Sequence, residues 1–69
     1  MSKVKIILNG EEKFVEKHTT IADLIQELEL DIKKVAIEKD LEIISPDFFS
    51  KIVLNEGNKV EIVHFIGGG

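Results

Sequence analysis

With 69 residues the chain has room for one small domain, and 43% hydrophobic and 32% charged residues place it among globular chains rather than disordered ones. A core of this size contributes only ~3–5 kcal/mol of net stability and there is no cysteine to cross-link it, which argues against a sizeable interior substrate pocket and so against a self-contained enzyme. Nine basic against thirteen acidic residues give a net charge of −4, which opposes binding to nucleic acid, and apolar runs no longer than Ile6-Ile7-Leu8 fall far short of the about 20 residues a membrane span requires.

The amino terminus runs straight into an alternating segment without the apolar stretch of a secretory signal, so the expected location is cytoplasmic. Lys3 to Leu8 alternates with period two and places Val4, Ile6 and Leu8 on one face of a strand. Asn9-Gly10 follows, the pair best suited to the positive φ angles of a two-residue hairpin, and predicts a second, antiparallel strand over about Glu12–Glu16. Beyond His18 the period becomes 3.6: Ile21, Leu24, Ile25 and Leu28 form the apolar stripe of a helix about ten residues long. Thr20 is its N-cap, and Asp23, three residues on, makes a weaker version of the capping box that a glutamate would complete.

Val35 and Ile37 read as a short third strand and Leu41–Ile44 as a fourth, with Lys39-Asp40 turning the chain between them. Ser45-Pro46-Asp47 has the composition of a capped helical turn, after which Phe48, Phe49, Ile52 and Leu54 are expected to cover one end of the core. Asn55-Glu56-Gly57-Asn58 is a turn. The final strand, Lys59–Ile66, puts Val60, Ile62 and His64 on one side and Glu61, Val63 and Phe65 on the other. A single helix covers only one sheet face, so Val63 and Phe65 are expected at an exposed apolar patch suited to a partner, with His64 half-buried in the sheet and His18 in a solvated loop. Two histidines without ligand-spaced neighbours make no metal motif, the acidic residues form no catalytic pair, and no glycine loop cradles phosphate.

This order predicts an α+β fold: a β-grasp, ubiquitin-like domain with a mixed sheet of about 4–5 strands, one main helix on one face, and the last strand central and parallel to the first. The domain is expected over residues 1–66, with 67–69 as a flexible glycine tail. Gly67-Gly68-Gly69 carries no side chains and is slender enough to enter a narrow channel of another protein.

A β-grasp pattern that ends in glycines resembles the ubiquitin-like sulfur carriers, and most closely the ThiS type. The resemblance runs through Asn9-Gly10-Glu11, the helix stretch Thr19–Leu28, the segment Glu56–Val63 and the ending His64-Phe65-Ile66-Gly67-Gly68-Gly69. It implies that the Gly69 carboxylate is adenylated by a ThiF- or MoeB-type enzyme using ATP, then converted by persulfide sulfur, supplied through a cysteine desulfurase, into a thiocarboxylate. It also implies delivery of that sulfur to thiazole synthase, ThiG, in thiamin thiazole biosynthesis. On this reading the chain is a co-substrate rather than an enzyme, holds no cofactor of its own, and uses Val63, Phe65 and Ile66 as partner-binding residues. Alternatives are a MoaD-type or tRNA-thiolation carrier, and a ubiquitin-like modifier joined to lysines of other proteins.

Overall fold

The computed structural model describes residues 2–65. Strand β1 (Lys3–Leu8) pairs antiparallel with β2 (Glu11–Glu16), helix α1 (Ile21–Glu27) follows, and β3 (Val35–Lys39), β4 (Glu42–Ile44) and β5 (Lys59–His64) complete the sheet. Two short 3₁₀ turns, Ile32–Lys34 and Pro46–Phe48, lie between them. The sheet order is β2-β1-β5-β3-β4, with β1 and β5 parallel and the other neighbours antiparallel. The last strand is therefore central and beside the first, as the alternation predicts.

Asn9 and Gly10 both take positive φ, 49° and 85°, which matches the turn twist to that of the flanking strands. The helix is shorter than its periodicity suggests, with seven residues. Its end has a local cause. Glu29 adopts φ 60°; its amide donates to the Gln26 carbonyl and the Leu30 amide donates to the Ile25 carbonyl, the paired bonds of a Schellman ending. At the other end the Thr20 hydroxyl accepts from the Asp23 amide at 3.1 Å and the Asp23 carboxylate accepts from the Thr20 amide at 3.0 Å. Aspartate thus closes the capping box fully.

A helix of seven residues cannot hold alone. Ile21, Leu24 and Ile25 are buried against the inner sheet face, where Ile6, Val15, Ile37 and Val60 meet them. The first two helical amides donate into the segment after β4, Ile21 to the Ile52 carbonyl at 3.1 Å and Ala22 to the Phe49 carbonyl at 2.8 Å. That segment starts at the Ser45 cap, with Pro46 opening the 3₁₀ turn. Phe49 and Leu54 seal the end of the core at 1% exposure each, and full burial of such side chains contributes roughly 1.5–3 kcal/mol apiece. Phe48 does not join them: it remains 49% exposed, with the Lys51 ammonium 6.0 Å from its ring centre.

The second hairpin turns at Asp40-Leu41, one residue later than Lys39-Asp40, with φ of 51° and 73°. Lys39 and Glu42 flank it as a pair. His64 is exposed rather than half-buried, because β3 starts at its partner Val35 and the sheet gives out there. His18 is exposed at φ 76°. The predicted strand end at Ile66 lies outside the described residues, and β5 as described closes at His64.

Candidate docking face and carrier terminus

Two side-chain clamps position β5. From the β1 side, Asn9 reaches across the sheet: its Oδ1 accepts from the Ile62 amide at 2.8 Å and its Nδ2 donates to the Ile62 carbonyl at 3.3 Å. Its own amide donates to the Val60 carbonyl at 2.9 Å. The parallel ladder has register pairs only at Ile7–Lys59 and Leu8–Val60, so the Asn9 side chain extends it by imitating a peptide group.

From the β3 side, Asp40 holds the start of β5. One carboxylate oxygen accepts from the Lys59 amide at 2.9 Å and the other from Asn58 Nδ2 at 2.9 Å, while the Asp40 amide donates to the Lys59 carbonyl at 2.7 Å. The Lys59 amide is the main cause that holds the Asp40 carboxyl below its ordinary value; desolvation, second in size, opposes it, and the Lys39 ammonium and then the Asn58 amide add to the lowering.

The sheet face away from α1 carries Lys5, Ile7, Phe14, Ala36, Glu38, Ile43, Glu61 and Val63, by strand alternation and register. Val63 is 58% exposed, Phe65 54% and Ile43 83%. Val63 on β5 and Phe65 just past its end are both exposed, as alternation predicts. Phe65 stays aligned with the sheet because its amide donates to the Lys34 carbonyl at 2.7 Å. Ala36, Ile43 and Val63 line a shallow depression, bordered by Glu38 and Glu61.

Ile43, Ala36 and Glu38 were not legible as part of this patch. Strand alternation assigns each to a face, but only the pairing of β3 with both β4 and β5 sets Ile43 beside Glu38, Glu38 beside Glu61, and Ala36 beside Val63. Ile66, Gly67, Gly68 and Gly69 fall outside the described residues. Among the described residues, no group of three or more His, Cys, Asp or Glu side chains is arranged to hold a metal ion, and no helix is long and apolar enough to cross a membrane.

Comparison with known proteins places these features in a family. The sequence model of the ThiS family matches residues 3–69. The chain is 42% identical over 66 residues to a thiazole synthase of Paramagnetospirillum magneticum, a match covering 96% of this chain and 20% of that protein. It is 40% identical over 63 residues to the sulfur carrier protein ThiS of Bacillus subtilis, covering 90% of this chain and 96% of that one. The chain thus spans about a fifth of the thiazole synthase and nearly the whole Bacillus carrier. In structure it superposes on a thiamine biosynthesis protein, ThiS, from Geobacter metallireducens with a TM-score of 0.78 at 23% identity, covering 96% of this chain and 100% of that one. This likeness shows the β-grasp fold. The family match across β1 to the final glycine and the Bacillus relative together establish that the chain belongs to the ThiS family.

Proposed function

We propose that the chain is a sulfur carrier for thiamin thiazole formation, with the Gly69 carboxylate as its reactive group. A ThiF- or MoeB-type enzyme joins that carboxylate to AMP, releasing pyrophosphate from ATP. The outer sulfur of a persulfide, originating from a cysteine desulfurase, attacks the acyl adenylate and displaces AMP to give an acyl disulfide. A thiol then attacks the other sulfur of that bond, forming a disulfide with it and releasing the thiocarboxylate, which delivers sulfur to thiazole synthase. The observation that carries this reading is the similarity to the Bacillus carrier over nearly its full length. A thiazole synthase containing a region like this chain supports the choice of acceptor.

The chemistry fits the residues available. A carboxylate is a poor electrophile until an AMP leaving group is attached, and exchange of one oxygen for sulfur leaves a soft nucleophile at the chain end. No cysteine is required, and the sequence has none. Gly67 and Gly68 add no side chains beside Gly69, which suits passage into a confined reaction centre. Val63 and Phe65, exposed at and just past the end of β5, and Ile66 after them in sequence are the apolar residues assigned to partner contact on this reading. The chain itself performs no catalysis on this reading, and its expected setting is the cytoplasm, where the ATP-using enzyme works.

Incubation with ATP, the activating enzyme and a sulfur source is expected to add the mass of one oxygen replaced by sulfur, located at Gly69 by fragmentation. Deleting Gly69 is expected to abolish that gain and leave the unfolding midpoint within about 0.5 kcal/mol of the full chain, since a terminal glycine has no side chain to pack. An intact chain that gains no sulfur beside a carrier that does would refute the reading.

A further inference from the structure

Outside the docking face and the terminus, the Asn9-Gly10 turn carries latent chemistry of its own. The Asn9 carboxamide has a nucleophile close by along the chain, the Gly10 backbone nitrogen, and glycine has no side chain to shield it. Asn9 is exposed, so water and base can reach it. The other asparagines, Asn55 and Asn58, precede Glu56 and Lys59, whose side chains crowd the corresponding nitrogens. In the folded chain the carboxamide is engaged elsewhere. Its Oδ1 accepts from the Ile62 amide at 2.8 Å and its Nδ2 donates to the Ile62 carbonyl at 3.3 Å.

We propose that Asn9 is a self-modification site, closed while β5 is clamped and open when β5 detaches. In the open state solvent base takes the Gly10 amide proton and the nitrogen attacks Asn9 Cγ. A cyclic imide closes, the Cγ–Nδ2 bond breaks, and Nδ2 takes up a proton and leaves as ammonia. Water then splits one of the two imide C–N bonds. Cleavage at Cγ leaves aspartate at position 9; cleavage at the backbone carbonyl leaves isoaspartate, with the main chain routed through Cγ. No electrons are exchanged, and water is the only co-reactant.

The clamp closes the site because both Ile62 bonds need an intact, planar carboxamide. As Cγ becomes tetrahedral and Nδ2 departs, the imitation of a peptide group is lost. Conversion therefore proceeds from molecules in which β5 has opened, and its rate follows their population. The product does not close again as before. An oxygen in place of Nδ2 has no proton for the Ile62 carbonyl, and isoaspartate adds a backbone atom to a turn whose register is set by the Leu8–Glu11 pair. The β1–β5 ladder, with register pairs only at Ile7–Lys59 and Leu8–Val60, has little else to hold it. Each converted molecule thus opens more readily, and time spent open limits the life of the strand that leads to the chain end. This inference is independent of the carrier reading.

The test is timed incubation of the full chain at mildly alkaline pH, native and in urea. Electron-transfer fragmentation locates each amide that has become an acid and separates aspartate from isoaspartate. In urea Asn9 is expected to convert at least about tenfold faster than Asn55 or Asn58, and in the native chain at least about 30-fold more slowly than in urea. Ile62→Val keeps the backbone partners and loosens β5; it should convert about threefold faster than wild type when native and at the same rate in urea. The isoaspartate product, separated by its added charge, should melt about 5 °C or more below the parent chain, with faster hydrogen exchange at Ile62. Conversion in urea no faster at Asn9 than at Asn55 and Asn58 would overturn the site. Native and unfolded rates within twofold of each other would overturn the gate, as would an Ile62→Val rate equal to that of the wild type.

Discussion

The two hairpin turns reach the central strand from opposite sides and solve the same problem with different residues. Each begins with a residue at positive φ, Asn9 at 49° and Asp40 at 51°. In each, that residue's side chain accepts from a β5 amide, Ile62 for Asn9 and Lys59 for Asp40. The second positions differ. Gly10 takes φ 85° without steric cost, whereas Leu41 takes 73° with a side chain attached and is 86% exposed. The first turn is thus favoured by its local sequence, and the second is held by its tie to β5. Both bear on function, because β5 runs directly toward the chain end that the proposed chemistry uses.

Removing the Asn9 clamp is the most damaging way to separate the two. Asn9→Ala deletes both side-chain bonds to Ile62, a 9%-exposed residue whose amide and carbonyl then lose their partner. It also places alanine at a positive φ that asparagine tolerates better. Each unsatisfied part-buried group costs about 1 kcal/mol or more, so a loss of about 2–3 kcal/mol in urea unfolding is expected. Hydrogen exchange should locate the weakening at Ile62. Asn9→Asp should fall between, since a carboxylate keeps the acceptor for the Ile62 amide and loses the donor to its carbonyl. A loss below about 0.5 kcal/mol in the alanine variant would show that the ladder is closed without the clamp.

The Asp40 clamp is more exposed and should contribute less, and it has a pH signature that Asn9 lacks. The folded-state pKa is depressed below the ordinary value of 3.8, so its contribution is fully present above the unfolded value. It is lost as pH falls through the lower, folded one. Asp40→Asn retains tolerance of positive φ and one acceptor oxygen, and is expected to cost less than about 1 kcal/mol at pH 7. The gap between wild type and variant should narrow as pH is lowered from about 5 toward 2. A gap that stays constant through that range would mean that the charge of Asp40 is not what the clamp uses.

The same contrast explains how much could be read in advance. Strand β1, the Asn9-Gly10 turn, the Thr20 cap and the apolar stripe of α1 are signalled by residues within a few positions of one another, so the sequence pattern alone locates them. The Asp40-Leu41 turn is not, because leucine is no turn residue and its support comes from Lys59, 19 positions from Asp40. The helix end was likewise hidden, because Glu29 occupies the left-handed position where glycine is the usual marker. On the candidate site, alternation sufficed for Val63 and Phe65. Ala36, Glu38 and Ile43 join them only through a register set by β3 lying between β4 and β5, which no local pattern encodes. The expectation for His64 failed for a related reason: its alternation is inward, but the sheet ends beside it.

The smallest effect tests the comparison most directly, by exchanging what distinguishes the turns. A left-handed conformation costs an L-residue roughly 1–2 kcal/mol, and glycine gives back about half of that through the greater freedom of its unfolded chain. Leu41→Gly is therefore expected to stabilise by about 0.5–1 kcal/mol, since a side chain 86% exposed forfeits little packing. Gly10→Ala should destabilise by a similar amount on conformational grounds alone, because an added Cβ there meets no atom within 4 Å. Leu41→Ala keeps the left-handed strain and removes only exposed surface, so it should stay within about 0.5 kcal/mol of wild type. Paired unfolding curves for the three variants give the sign of each change. If Leu41→Gly destabilised while Leu41→Ala did so equally, the leucine side chain rather than its backbone would be what the second turn depends on.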